Sequence, residues 1–321
     1  MRQVPLGSDA RRQQRDFVTR FGRLTNGVFD PLNALGGSLL QDQAIDPSGL
    51  EHVPREANAV AKRQSTSLFG LGLIEAIPES TILRGIRSKP VDGVLGKASM
   101  VMDVSTQKTL LGRFGWKEQQ ATLLSFAADA YVNEMGITNS LFPTENAPNG
   151  NVALLKKLDG VRDPEDLKDP VTGKASIDLL TDFMRFLGPP PTRPATPFST
   201  FGAKLFLDLG CVNCHTPRML TGPSPTQALN NKEVMLYSDL LLHDMGTLGD
   251  GIAQGTAGVR DMKTSTLWGL RVSGPYLHDG RASTSEAVIQ GHVGEAKNSK
   301  DRFLKLTSDQ QSILVEFLKP I

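Results

Sequence analysis

"GCVNCHTPRML", residues 210–220, holds the only two cysteines of the 321-residue chain, three positions apart, with His215 directly behind the second. Thiols at this spacing lie within one helical turn and can point the same way. They can then form thioethers with the two vinyl groups of one porphyrin, while the adjoining imidazole turns a ring nitrogen toward the iron. The string C-x-x-C-H therefore reads as a covalent haem c attachment site, with Cys211 and Cys214 as tethers and His215 as proximal ligand. A structural zinc needs four ligands, commonly a second C-x-x-C or a closely spaced histidine pair, and the chain has neither. A thioredoxin-like dithiol sits between a strand and a helix; here a helical stripe precedes the motif and Pro217 follows it.

Working outward, "STFGAKLFLDLGCVNCH" carries Phe201, Leu205 and Leu209 at helical spacing up to the motif. At the far end, "LTSDQQSILVEFLKPI" offers Thr307 and Gln310 as a capping box, and Ile313, Leu314, Phe317 and Leu318 as an apolar face. A first and a last helix around a loop-rich middle is the order of a small cytochrome c-like domain. Upstream of it, "GPPPTRPATP" (residues 188–197) packs five prolines into ten positions, too many for a helix. Before that, Ile177, Leu180, Phe183, Met184 and Leu187 predict a helix with Ser176 as N-cap and Gly188 as stop. The expected division is thus 1–190 and 191–321.

In the first 190 residues, "KEQQATLLSFAADAYVNEMG" reads as a helix with Leu124, Ala127, Ala128, Tyr131 and Met135 on one side. Pro78 opens another in "PESTILRGI". Few residues alternate with a strand period, and long stretches such as "SKPVDGVLGKAS" read as loop. Loops of this length usually serve a function or surround a ligand. The fold class expected is mainly α, built of loop-rich cytochrome c-like domains, the C-terminal one complete and the N-terminal one truncated.

Bulk composition excludes several roles. Net charge is +1, the hydrophobic fraction 39% and the charged fraction 21%. This is an ordinary globular composition without a nucleic-acid or membrane-surface signature. No apolar run is long enough to span a bilayer. Residues 1–30 are too polar for a signal-peptide core. A second axial ligand for the haem iron must come from Met219, Met235, His243, Met245, Met262, His278 or His292. Spacing alone does not choose, and core packing is the ordinary role of the methionines.

Several longer strings carry a resemblance. "SDLLLHDMG", "TSTLWGLRVSGPYLHDGRAST", "GHVGEA" and the closing helix resemble the di-haem oxidoreductases, a peroxidase-type family also labelled thiol oxidoreductases. "NGVFDPLNALGGSLLQDQAI", "KRQSTSLFGLGLIEA", "GRFGWKEQQATLLSFAADAYVNEMGITN" and "LFPTENAPNGN" extend the likeness over nearly the whole chain. The resemblance implies that the region after "PYLHDG" supplies the distal ligand, here His292, with Met245 as runner-up. It places His278 beside the haem, and Arg271 and Arg281 suit its propionates because a guanidinium matches a carboxylate fork. Trp116 matches a tryptophan that lies between two haems. Glu134 matches a glutamate that moves a proton during peroxide cleavage. It also allows a calcium ion, with no ligand assigned.

The family has two C-x-x-C-H motifs, and this chain has one. The first belongs upstream of the segment resembling "TRFGRLTNGVFDPLNALGGS", close to where this sequence starts. The expectation is a chain truncated at its N-terminus, periplasmic in its full form, with a second haem. Its function would be electron transfer through the C-terminal haem to a haem that reduces hydrogen peroxide. The electron donor would be a small cytochrome or a cupredoxin; no nucleic acid and no membrane span is expected. The alternative is a single-haem c-type electron-transfer protein without catalysis. A third reading keeps the enzyme but oxidises protein side chains, as in methylamine utilisation. The thiol-oxidoreductase label finds no spare cysteine pair.

Overall fold

The computed structural model describes residues 17–160, 164–192, 194 and 199–321. The expected proline-rich connection at 188–197 lies partly outside these residues. Nine strands, in chain order, are β1 Phe17–Thr25, β2 Val28–Asp30, β3 Ala59–Gln64, β4 Met100–Asp103, β5 Lys108–Leu111, β6 Met219–Leu220, β7 Glu233–Val234, β8 Leu242–Asp244 and β9 Asp261–Lys263 among the described residues. The helices are α1 Leu71–Ala76, α2 Glu79–Leu83, α3 Leu123–Glu134, α4 Val152–Leu158, α5 Ser176–Phe186, α6 Ser199–Asp208, α7 Ser285–Gly291, α8 Lys297–Phe303 and α9 Ser308–Leu318.

The expectation of a mainly α chain is corrected by four antiparallel sheets. β1 is the centre of a three-stranded sheet, β2-β1-β3, and β4–β5, β6–β7 and β8–β9 form two-stranded ones. β1 escapes a period-two reading because "FVTRFGRLT" places Arg20 and Arg23 among its apolar residues. Its pairing with β2 turns on Asn26 and Gly27, both with positive φ (51° and 81°). That is the conformation a two-residue hairpin demands, and Asn-Gly is the sequence that best supplies it.

Helix starts follow local chemistry. At α9, Thr307 Oγ1 accepts from the Gln310 N–H and Gln310 Oε1 accepts from the Thr307 N–H at 3.0 Å, the reciprocal box expected from sequence. At α5 the cap is Ala175, whose N–H donates to Asp178 Oδ2 at 2.9 Å, so the helix includes Ser176 rather than being capped by it. α3 begins later than its apolar pattern predicts, at Leu123 behind the N-cap Thr122. The six residues before Leu123 turn instead, and Glu118 adopts φ 52°.

Two apolar clusters organise the molecule. One draws Leu71, Ile74 and Leu123 together with Leu236, Leu240 and Trp268, from both sides of residues 188–197. The other packs Leu205, Phe206 and Leu209 against Phe303, Leu314 and Phe317. Burying each such large side chain stabilises by roughly 1.5–3 kcal/mol. Two expected core residues stand out of these clusters: Phe201 is 43% exposed and Phe183 56%. Phe206, one residue off the stripe read from sequence, is buried in place of Phe201. The second cluster fixes α6 against α9, and α6 leads directly into Cys211.

Candidate functional site

α6 ends at Asp208, and the chain reverses through Gly210, whose φ of 79° lies in the left-handed region. A Cβ there would meet the Arg302 guanidinium at 2.7 Å, so only glycine suits this corner. Arg302 holds the corner from α8: its Nε and Nη2 donate to the Leu209 carbonyl at 3.0 and 2.8 Å, and it pairs with Asp92. A short 3-10 turn over Cys211–Asn213 follows. The His215 N–H donates to the Cys211 carbonyl at 2.9 Å, and the Asp239 N–H to the Cys214 carbonyl at 2.8 Å. The motif is thereby laid against residues 237–239.

Cys211, Cys214 and His215 open onto a cavity of about 790 Å³. That is within the roughly 300–1,000 Å³ usual for cofactor and ligand pockets. Its wall also includes Trp116, His243, Met245, Lys263, Trp268, His278 and His292. The elements that meet here lie far apart in the chain: β3 ends at Gln64, β9 carries Lys263, and α7 is followed by His292.

The two imidazoles named as axial ligands are oriented alike. His215 Nδ1 lies 2.9 Å from the Tyr237 carbonyl and His292 Nδ1 lies 2.7 Å from the Val288 carbonyl. A carbonyl only accepts, so each Nδ1 bears the proton and each Nε2 keeps its lone pair. Burial holds both rings below the usual histidine pKa, His215 at about 4. Neutral imidazoles with a free Nε2 and a backbone-anchored Nδ1 are what a metal ion requires. Phe206 packs at 6.4 Å from the His215 ring and fixes its plane further.

His243, another histidine of the wall, is committed elsewhere. Its Nε2 lies 2.9 Å from Asp239 Oδ2 and its Nδ1 2.7 Å from Glu295 Oε2. Burial disfavours the charged ring, but the hydrogen bonds to Asp239, Cys214 Sγ (3.7 Å) and Glu295 outweigh it and push His243 up to about 12. Both nitrogens are thus protonated donors, and neither can ligate. Cys214, Asp239 and His243 are the one close grouping of potential metal ligands among the described residues. It offers three donors, short of the four of a structural zinc site, and with one sulfur and one nitrogen it is no oxygen cage of the kind calcium takes.

The thiols are not a reactive pair. Burial pushes Cys211 up to about 12 and raises Cys214 as well, whereas redox-active cysteines have depressed values. Enclosed thiols at one edge of a large apolar cavity, a free imidazole Nε2 beside them and a second one in the same wall fit a covalently held porphyrin.

The remaining sequence candidates fall in different places. Trp116 stands in the cavity wall, its Nε1–H donating to the Gln64 carbonyl at 2.7 Å, with the His278 ring edge-on at 6.3 Å. His278 is buried, and burial depresses its pKa. Arg271 donates to the Pro191 carbonyl at 3.3 Å, and its Nη1 is buried without a partner among the described residues. That spare donor suits a carboxylate. Arg281 is exposed and pairs with Asp279. Glu134 ends α3 away from this cavity, where the surrounding protein and then Asp129 push its carboxyl upward against the pull of Arg20.

Sequence reasoning missed Arg87, Arg302 and Glu118. Arg87 Nη2 donates to the Asn213 carbonyl inside the motif at 2.8 Å, and its Nη1 is buried and unpaired among the described residues. No local pattern marks them: the partners of Arg87 and Arg302 lie 90 or more positions away, and the Glu118 carboxylate has none among the described residues.

Residues 51–321 match the family described as "Di-haem oxidoreductase, putative peroxidase". No curated protein matches the chain. Among solved structures, hydrazine synthase from Kuenenia stuttgartiensis is 24% identical over 45% of this chain and 55% of that one, with a TM-score of 0.33. The chain therefore spans about half the length of that protein. A MauG-like protein associated with microbial copper homeostasis is 16% identical over 80% of this chain and 90% of that one, with a TM-score of 0.38. No helix among the described residues is long and apolar enough to cross a membrane. With most of its length matched to one family, this chain belongs to the di-haem oxidoreductases.

Proposed function

We propose that the chain is a c-type haem oxidoreductase of the di-haem peroxidase type, acting on hydrogen peroxide outside the cytoplasm. The observation that carries this reading is the pairing of His215 and His292 in the wall of one cavity, each with Nδ1 held by a carbonyl, beside the two cysteines. When bound, haem supplies one-electron chemistry. Cys211 and Cys214 would tether it, His215 and His292 would offer their Nε2 atoms, and Arg271, between the wall residues Leu270 and Val272, is the proposed propionate partner although it does not itself line the cavity. Met245 lines the same wall and is the other candidate for the distal position.

Trp116 is the proposed relay for electrons leaving this cavity. Its hydrogen bond to Gln64 holds the indole in one orientation. Glu134 is the proposed proton carrier at a second haem, moving a proton between the two oxygens of peroxide. Its carboxyl is pushed upward by its surroundings and by Asp129, the direction that favours holding a proton. A small cytochrome or cupredoxin is the proposed electron donor. The rival reading, a single-haem electron carrier, is favoured by the single C-x-x-C-H of this sequence.

Intact mass of the protein from its native host separates the two. Two covalent haems and peroxide turnover are expected. One haem without turnover leaves the carrier, and no covalent haem overturns both. Loss of the C-terminal haem in Cys211→Ala and Cys214→Ala variants is the companion result.

A further inference from the structure

Glu118 is fully buried, and neither of its carboxylate oxygens has a hydrogen-bond partner among the described residues. A buried carboxylate without a partner is costly, since its solvation by water is lost and nothing replaces it. It is not remote from the cavity. Trp116, two residues earlier, is in the wall, and the Trp116 carbonyl accepts from the Lys263 N–H at 3.0 Å. Lys263, also in the wall, turns its ammonium toward the Arg113 carbonyl at 3.1 Å and is the largest opposing charge acting on Glu118. The other charges facing Glu118 are Asp239, His243 and Arg113. Asp239 and His243 neutralise one another at 2.9 Å, and Arg113 spends its Nη1 on the carbonyls of Ile74, Glu75 and Ile77. Glu118 is therefore the one carboxylate of this group without a bonded counter-charge.

We propose that Glu118, set beside Lys263 one layer behind the haem cavity, is a redox-linked proton acceptor: an electron that enters the cavity draws a proton onto its carboxylate. The step balances. One electron from the donor converts ferric to ferrous iron, lowering the positive charge of the cavity by one. One proton from solvent forms an O–H bond on Glu118, and no other bond changes. Charge in the low-dielectric interior is then conserved, which is the reason for coupling: an uncompensated charge change there is far more costly than in water. Burial pushes the Glu118 carboxyl well above its usual value and depresses Lys263, while the opposite charge of each partly offsets the shift of the other.

The inference rests on the haem reading but not on peroxidase activity. The test is the midpoint potential of the Cys211 haem measured optically against pH, in the full chain with covalent haem first verified by mass. Wild type is expected to show a segment falling toward about 59 mV per pH unit, the one-electron, one-proton limit. In Glu118→Gln that segment flattens. Redox-difference infrared spectra of the wild type should show a protonated carboxyl stretch appearing on reduction and shifting in D₂O. This measurement stands even if the variant does not fold. A wild-type slope retained in the variant, or no carboxyl signal on reduction, overturns the proposal. Absence of covalent haem would instead overturn the function on which it rests.

Discussion

The indole Nε1–H of Trp116 donates to the backbone carbonyl of Gln64 at 2.7 Å, joining the segment before α3 to the end of β3 in the wall of the motif's cavity. Trp116→Phe keeps an aromatic ring but removes that hydrogen bond. It is expected to lower stability by about 0.5–1.5 kcal/mol, read by denaturant titration. If Trp116 relays electrons, peroxide turnover falls while the haem spectrum is preserved. Unchanged turnover in a folded, haem-loaded variant would remove it from the route.

The Asp239–His243–Glu295 clamp sets a pH window. His243 is raised to about 12, so its stabilisation is complete below the unfolded histidine value near 6.5 and is lost as pH climbs toward 12. Glu295 is held down at about 2 despite partial burial, chiefly by His243 and the Leu95 N–H. Its stabilisation is complete above the unfolded value near 4.5 and is lost as pH falls toward 2. Both contributions are therefore full between about 4.5 and 6.5, where melting temperature should peak. His243→Gln removes the alkaline decline and costs about 3–5 kcal/mol near neutral pH, because two carboxylates lose a buried counter-charge. A melting profile of unchanged shape in the variant would show that the clamp does not set the window.

The motif itself was legible because Cys211, Cys214 and His215 are adjacent, and so their chemistry is a matter of spacing. The helices α5, α6 and α9 were legible for the same reason: most of their apolar residues are local, and so is the capping box of α9. β1 was not, since its burial comes from β3, which pairs with it from about 40 residues away, and its arginines interrupt the alternation. Glu118 was hidden by a helical periodicity that runs back through Lys117 into what is in fact a turn. Its partnerless state depends on how Lys263 and Arg113 are spent, and no sequence pattern carries that. His292 was reached by resemblance, and only the Val288 carbonyl explains why its Nε2 is the free nitrogen.

His292→Met tests the distal position. Exchange of an imidazole for a thioether raises the potential of a c-type haem, because the softer, less basic ligand favours the ferrous state. The midpoint potential is expected to rise with the covalent haem retained. Met245→Leu should leave it near the wild-type value. If Met245→Leu lowers the potential and His292→Met leaves it unchanged, Met245 is the ligand and His292 a packing residue held by Val288.

Glu134→Gln tests the peroxide step. The substitution keeps size and hydrogen-bonding capacity but removes the exchangeable proton, and general acid–base catalysis by one side chain is worth about 10²–10⁴-fold. If the protein carries the proposed second haem, its peroxide turnover is expected to fall by that order, with the haem spectra and the potential at Cys211 unchanged. The carboxyl is raised by its surroundings and by Asp129, so wild-type turnover should also respond to a pH change across its titration, and the variant should not. Wild-type turnover retained by Glu134→Gln would leave Glu134 as the exposed last residue of α3 and move the search for the proton carrier to other residues of the second haem's pocket.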